Sequence, residues 1–279
     1  LAYYTLKTIG LLPEWFLYYP LAELLYLLLY RVIHYRIDVV RENLRNSFPE
    51  KSDAELRDIE RKFYHNLAEV FIDTIDLTSI STKRLRKRMV FVGEECHRNE
   101  AIAGRDWIAA ISHYGSWEYF ISYSANDEPG RETMGIYRPL HNVVMDMVYR
   151  SIRSRMRMSP VPMAVTLRHI IRNRRDNVRM CVGLIADQAP PWFHRDYWYD
   201  FLHQPTAFFD GLETIATRFN MPVYFTRIEK VKRAHYKVYF EKIYDGDEQL
   251  PPHEITKRYA AKLEDMIRQR PELWLWSHR

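Results

Sequence analysis

A histidine and a carboxylate share the segment Ile111-Ser112-His113-Tyr114-Gly115-Ser116-Trp117-Glu118, on what reads as a strand-to-helix turn. Trp107 to Ser112 is a short apolar run of strand type, and Ser116 to Ser124 takes up a helix-like pattern. His113 therefore falls at the end of a strand. Glu118 is about 140° around a regular helix from His113, so the two meet only if the chain bends between them. Gly115 permits that bend. With Glu118 accepting from one imidazole nitrogen, the other becomes a base able to take a proton from a hydroxyl, which is the chemistry of acyl transfer to an alcohol. A chance His-x4-Glu is more often surface decoration, so the motif needs support from the rest of the chain.

At 279 residues the chain is long enough for a substantial core, and no break in composition divides it. The formal charge of +5 and pI near 9.0 are concentrated in runs at Lys83 to Arg88, Arg150 to Arg157 and Arg168 to Arg175. Such runs are most often solvated faces, but together they suggest an anionic partner. Nucleic acid is disfavoured, because no helix-turn-helix, RRM or zinc-finger pattern accompanies the charge. Cys96 and Cys181 are too few and too far apart for a zinc ribbon or a disulfide framework, which fits buried thiols in a reducing compartment. No His-Glu-x-x-His occurs and His113 has no neighbouring ligand at metal spacing, so no metal or cofactor is expected. The Gly-x-Ser-x-Gly elbow of serine hydrolases is also absent.

The N-terminal segment is crowded with Tyr3, Tyr4, Trp15, Tyr18, Tyr19, Tyr26 and Tyr30, amphipathic rings that favour a membrane interface. Leu11 to Ile33 is strongly apolar but carries Pro13, Glu14, Pro20 and Glu23, which leaves it short of an uninterrupted span. It reads as a membrane-anchoring helix lying in or dipping into a bilayer, and no small-residue cleavage site follows it. The expected division is an anchor over residues 1–35 and a catalytic domain over 36–279.

Behind the anchor, Tyr35 to Asn46 is a basic amphipathic helix interrupted by Pro49. Ser52-Asp53-Ala54-Glu55 is a capping box for a long helix reaching about Ile75. Strands follow at Val90 to Val92, Trp107 to Ser112, Thr133 to Tyr137, Arg179 to Ala186, Pro222 to Ile228 and Tyr236 to Tyr244. Helices fall at His141 to Arg157, Thr206 to Asn220 with Thr206 as cap, and His253 to Arg270. This alternation indicates a single α/β domain with a mixed, largely parallel sheet flanked by helices. Ligands of such sheets gather beyond the carboxyl ends of the strands. His113, Tyr137-Arg138-Pro139 and Asp187-Gln188 each lie just after a strand, so three polar motifs are expected on one rim.

With these motifs in sequence order, the chain resembles the bacterial lipid A late acyltransferases, the lauroyl and myristoyl transferase family within the lysophospholipid-acyltransferase-like superfamily. The resemblance runs through Arg41-Glu42-Asn43-Leu44 to Phe48-Pro49-Glu50, His113 to Glu118, Tyr137-Arg138-Pro139-Leu140, Ala186-Asp187-Gln188 and Trp274-Leu275-Trp276-Ser277-His278-Arg279. It implies transfer of a fatty acyl chain from an acyl carrier protein thioester to a hydroxyl of an anionic glycolipid, a lipid A precursor. The implied setting is the cytoplasmic face of a Gram-negative inner membrane. His113 would be the general base and Glu118 its orienting partner, with Arg138, Asp187, Gln188 and Gly115 supporting the site. Arg138 suits a phosphate or a developing oxyanion, and backbone N–H groups near Gly115 are further candidates for the oxyanion. Asp187 could equally hold Arg138 in place as a structural ion pair.

With no cysteine in the motifs and no serine elbow, the lipid hydroxyl is expected to attack the thioester directly. The stretch Ala189 to Thr206 is longer and more aromatic than is common in the family, which leaves the acceptor open. A glycerophospholipid acyltransferase would use the same base on another alcohol, but it pairs its histidine with aspartate, and its Glu-Gly-Thr-Arg segment is absent here. A non-catalytic lipid-binding protein would keep the anchor and the arginines and leave the His113 rim without a role.

Overall fold

A central sheet of seven strands, in the order β1-β9-β8-β2-β5-β3-β4, organises the computed structural model, which describes residues 2–93, 104–125, 131–189 and 197–278. Its strands are β1 (Met89–Val92), β2 (Trp107–Ile111), β3 (Arg131–Tyr137), β4 (Ser159–Pro162), β5 (Arg179–Ile185), β8 (Val223–Lys232) and β9 (His235–Tyr244). Only the β8–β9 pairing is antiparallel. The mixed, largely parallel α/β sheet expected from the sequence is therefore present. Every residue of β2 is buried, and so is most of β5. Their unbroken apolar runs are the signature of strands covered on both faces.

The flanking helices are α1 (Ala2–Gly10), α2 (Glu14–Val32), α3 (Ile37–Ser47), α4 (Asp53–Asp76), α5 (Thr82–Arg88), α6 (Val143–Ser154), α7 (Thr166–Arg175), α8 (Gly211–Phe219) and α9 (Glu254–Gln269). The capping box starts α4 as expected: the Ser52 side chain accepts from the Glu55 N–H, and the Glu55 carboxylate accepts from the Ser52 N–H. One cap thus satisfies two of the helix's otherwise unpaired donors.

The N-terminal helix α2 is two-faced. Tyr18, Ala22, Tyr26 and Leu29 recur at helical spacing and are buried, whereas Trp15, Tyr19, Leu24, Leu27, Leu28 and Val32 are exposed. Pro20 lies in a π-helical turn over Leu17–Leu21, where its missing N–H is accommodated. Among the described residues no single helix is long and apolar enough to cross a membrane. Helices α2 and α3 together pass that test only as a pair bent by 87°. His34 and Arg36, between them, adopt left-handed backbone.

Several elements differ from the sequence reading. Thr206 does not cap a helix; it lies in β7 (Gln204–Ala207), which pairs with β6 (Trp198–Phe201) in a small hairpin. Tyr199, Phe201, Leu202 and Phe208 are buried, and the Leu202 N–H donates to Glu264 of α9 at 3.2 Å. Tertiary packing thus displaces the helix start to Gly211. The run Arg168 to Arg175 belongs to α7, and the stretch after His113 is a 3-10 helix over Trp117–Ser122 rather than an α-helix. Cys181 is buried, while Cys96 and residues 190–196 lie outside the described residues.

Candidate active site

Parallel pairing of β2 with β5 sets Ile111 opposite Ile185. Two residues beyond each strand end stand His113 and Asp187, so the register alone delivers both side chains to one point on the rim. Asp187 Oδ1 lies 2.7 Å from His113 Nδ1, Asp187 Oδ2 accepts from the His113 backbone N–H at 2.8 Å, and the Trp274 indole N–H donates to the same oxygen at 2.8 Å. The carboxylate is almost completely enclosed, with its side chain 1 % exposed. Burial opposes its ionisation, but the imidazole and the three hydrogen bonds outweigh that and hold the Asp187 carboxyl below the usual range.

This arrangement corrects the expectation for Glu118. The histidine's carboxylate partner is Asp187, and Glu118 turns to Arg153 of α6, which donates from Nε at 3.2 Å and from a terminal nitrogen at 2.6 Å. Arg153 also lies over the rings of Tyr137 and Tyr149. Burial would lower its affinity for a proton, and the Glu118 charge more than compensates. The reason Glu118 cannot reach His113 is conformational. The chain turns sharply at Gly115, whose φ of +57° is left-handed, and the 3-10 helix then aims Glu118 at α6. A Cβ at Gly115 would also come within 3.2 Å of the Tyr236 ring.

Two further expectations are corrected by hydrogen bonding. Of the backbone N–H groups near Gly115, the one of Gly115 itself donates to the Leu273 carbonyl at 2.9 Å and is not available to an oxyanion. Asp187 does not hold Arg138, because its oxygens are taken by His113 and Trp274. Arg138 is exposed and lines the cavity wall, without a hydrogen-bond partner among the described residues. Gln188 places its amide nitrogen 3.3 Å from His113 Nε2.

The C-terminal segment closes the site from below. Tyr114 forms a bridge with Trp274, and the Leu275 N–H donates to the His113 carbonyl at 3.1 Å. On the other side, Tyr119 joins a buried network. Tyr18 of α2 donates to Asp73 at 2.5 Å, its hydroxyl lies 2.7 Å from that of Tyr119, and Arg88 donates to both Tyr18 and Tyr119 and to Asp76. The N-terminal helix is thereby tied to the turn that carries His113.

His113 opens onto a cavity of about 880 Å³ whose walls include Ile136, Leu184, Ile185, Leu167, Phe209 and Ile215. Its lining also carries polar groups, among them His113, Gln188, Arg138 and the Glu118–Arg153 pair. A mainly apolar cavity with polar groups on its lining fits a ligand with a long hydrocarbon part and a polar reacting end. With Nδ1–H donated to Asp187, His113 Nε2 is the nitrogen left to accept a proton. Among the described residues there is no group of His, Cys, Asp and Glu side chains able to hold a metal ion.

A family model described as bacterial lipid A biosynthesis acyltransferase matches residues 1–279, the whole chain. The chain belongs to that family. No curated relative matches it significantly. In this lipid A acyltransferase, the roles of two residues at the site carry no local sequence signal: Arg153 belongs to an arginine run of solvated-face type, and Trp274 to the C-terminal motif. Their partners lie 35 and 87 positions away in the chain. Only the fold brings them together.

Proposed function

We propose that this acyltransferase moves a fatty acyl chain from an acyl carrier protein thioester to a hydroxyl of a lipid A precursor at the cytoplasmic face of the inner membrane. His113 Nε2 takes the proton from the attacking hydroxyl, and Asp187 fixes the imidazole tautomer and stabilises the imidazolium that forms. The new ester bond forms as the thioester C–S bond breaks, and the proton held by His113 passes to the departing thiolate. Arg138, exposed on the cavity wall, stabilises the oxyanion or binds an acceptor phosphate. Glu118 and Arg153 act on the site indirectly by fixing its wall.

The observation that carries this reading is the His113–Asp187 contact of 2.7 Å, with His113 on the lining of a mainly apolar cavity. Exposed apolar side chains on α2, including Trp15 and Leu24, support attachment to a bilayer. The test is a mass-spectrometric assay with acyl carrier protein thioester and a series of lipid A precursors. Transfer to one of them that is lost in His113→Ala supports the proposal. Hydrolysis alone, or transfer only to glycerophospholipid alcohols, overturns it.

A further inference from the structure

Exposed apolar side chains also occur outside α2. On α6, Val143 and Met147 are 69 % and 61 % exposed, and Val144 and the preceding Leu140 are exposed with them. On and before α7, Met163, Leu167 and Ile171 are exposed, Ile171 by 50 %. Both helices also bury side chains, Val148 and Ile152 on α6 and Ile170 on α7. The exposed aliphatic side chains are therefore surplus to the core, and Leu140, Met163 and Leu167 on the lining of one cavity bring the two segments together there.

Three observations indicate what covers this face. Leu140, Met163 and Leu167 line the cavity that holds His113 and are also exposed, so the cavity opens through the apolar patch. The stripes are edged by exposed arginines: Arg150 falls on the same face of α6 as Val143 and Met147, and Arg168 and Arg172 flank Leu167 and Ile171 on α7. An aliphatic stripe with arginines at its margin is the pattern of a helix lying in an anionic bilayer interface, where the charged heads reach the phosphates. Finally, α6 packs against α1, which leads into the exposed face of α2.

We propose that the face shared by α6 and the 163–175 segment is a second bilayer-contact surface, and that lipid enters the His113 cavity through it from the plane of the membrane. The occupant is an anionic lipid surface. An acidic protein would pair with the arginines but leave the aliphatic stripe unexplained. The lateral-entry part rests on the reading of the cavity as a lipid site; the contact surface does not.

The test places an environment-sensitive fluorophore on Met147→Cys in a Cys96→Ser background of the full chain. Vesicles of phosphatidylethanolamine and phosphatidylglycerol are then added, some carrying a bilayer quencher. The expected result is a blue-shifted emission that the quencher suppresses. Val143→Glu with Met147→Glu, at positions that do not line the cavity, should weaken vesicle binding by at least about tenfold, because two apolar side chains lose their burial. It should leave turnover of a detergent-dispersed acceptor intact. An unshifted probe at position 147, while a probe at Trp15 shifts, overturns the proposal. So does a shift produced by acidic carrier protein and not by vesicles. A vesicle-dependent shift in a protein without any acyl transfer would instead retain the surface and reject the catalytic reading.

Discussion

Asp187 Oδ1 stands 2.7 Å from His113 Nδ1, although 74 positions separate the two residues in the chain, whereas Glu118, in the same turn as His113, is held by Arg153. Proximity in sequence and proximity in space thus select different carboxylates. The two have separable consequences: loss of Asp187 should act on proton transfer, and loss of Glu118 on the wall of the cavity.

The Glu118–Arg153 pair is largely shielded from solvent, with side-chain exposures of 10 % and 17 %. Removing one partner leaves the other's charge uncompensated, so Glu118→Gln should lower stability by about 3 kcal/mol. Glu118→Gln with Arg153→Met should recover much of that loss. Chemical denaturation of the two single variants and the double variant measures the coupling directly. A Glu118→Gln protein as stable as wild type, with a shifted pH–rate profile, would return Glu118 to the proton-transfer machinery.

Asp187 also links stability to pH. Its folded-state pKa is depressed, so its contribution is present above the ordinary aspartate pKa of about 4 and is lost as pH falls through the lower folded value. Relative to wild type, Asp187→Asn should be destabilised at pH 6 to 7, with the gap narrowing as the pH is taken below about 4. Urea unfolding midpoints across that range test the sign. A gap that widens in acid would contradict the buried ionised carboxylate.

Much of this site was legible in the sequence, and what was hidden is specific. The strand-type runs before His113 and Asp187 placed both at carboxyl ends, and Gly115 marked the turn. Neither run says which strand pairs with which, so the contact between His113 and Asp187 waited on the β2–β5 register. Arg153 is obscured by neighbours of the same type: Arg150 is exposed, Arg155 donates to the Leu77 and Ile80 carbonyls, and Arg153 turns to Glu118. The Thr206 helix start failed because a capping residue type cannot outweigh a hairpin whose aromatic side chains are buried.

Surface substitution tests the N-terminal helix better than deletion does. Removing residues 11–33 would strip Tyr18 from Asp73 and Arg88 and damage the fold. Trp15→Ser, Leu24→Ser and Leu28→Ser together alter only exposed positions. The triple variant should fold normally yet sediment less with lipid vesicles. Full retention on vesicles would remove α2 from membrane attachment.

Direct transfer predicts no acyl adduct on the protein. Rapid-quench intact-mass spectra of enzyme mixed with acyl donor alone should show the unmodified chain at all times. A stoichiometric adduct that chases into product on addition of acceptor would establish a covalent intermediate instead.

The central claim is that His113, oriented by Asp187, performs the proton transfer of acylation. The most direct measurement is kcat for acyl transfer in folded His113→Ala and Asp187→Asn proteins, with secondary structure and unfolding midpoint verified for each. His113→Ala should lose a factor of about 10² to 10⁴, and Asp187→Asn should lose much of the same activity because the imidazole loses the charge that fixes its tautomer. Near-wild-type turnover in a folded His113→Ala protein would contradict the account.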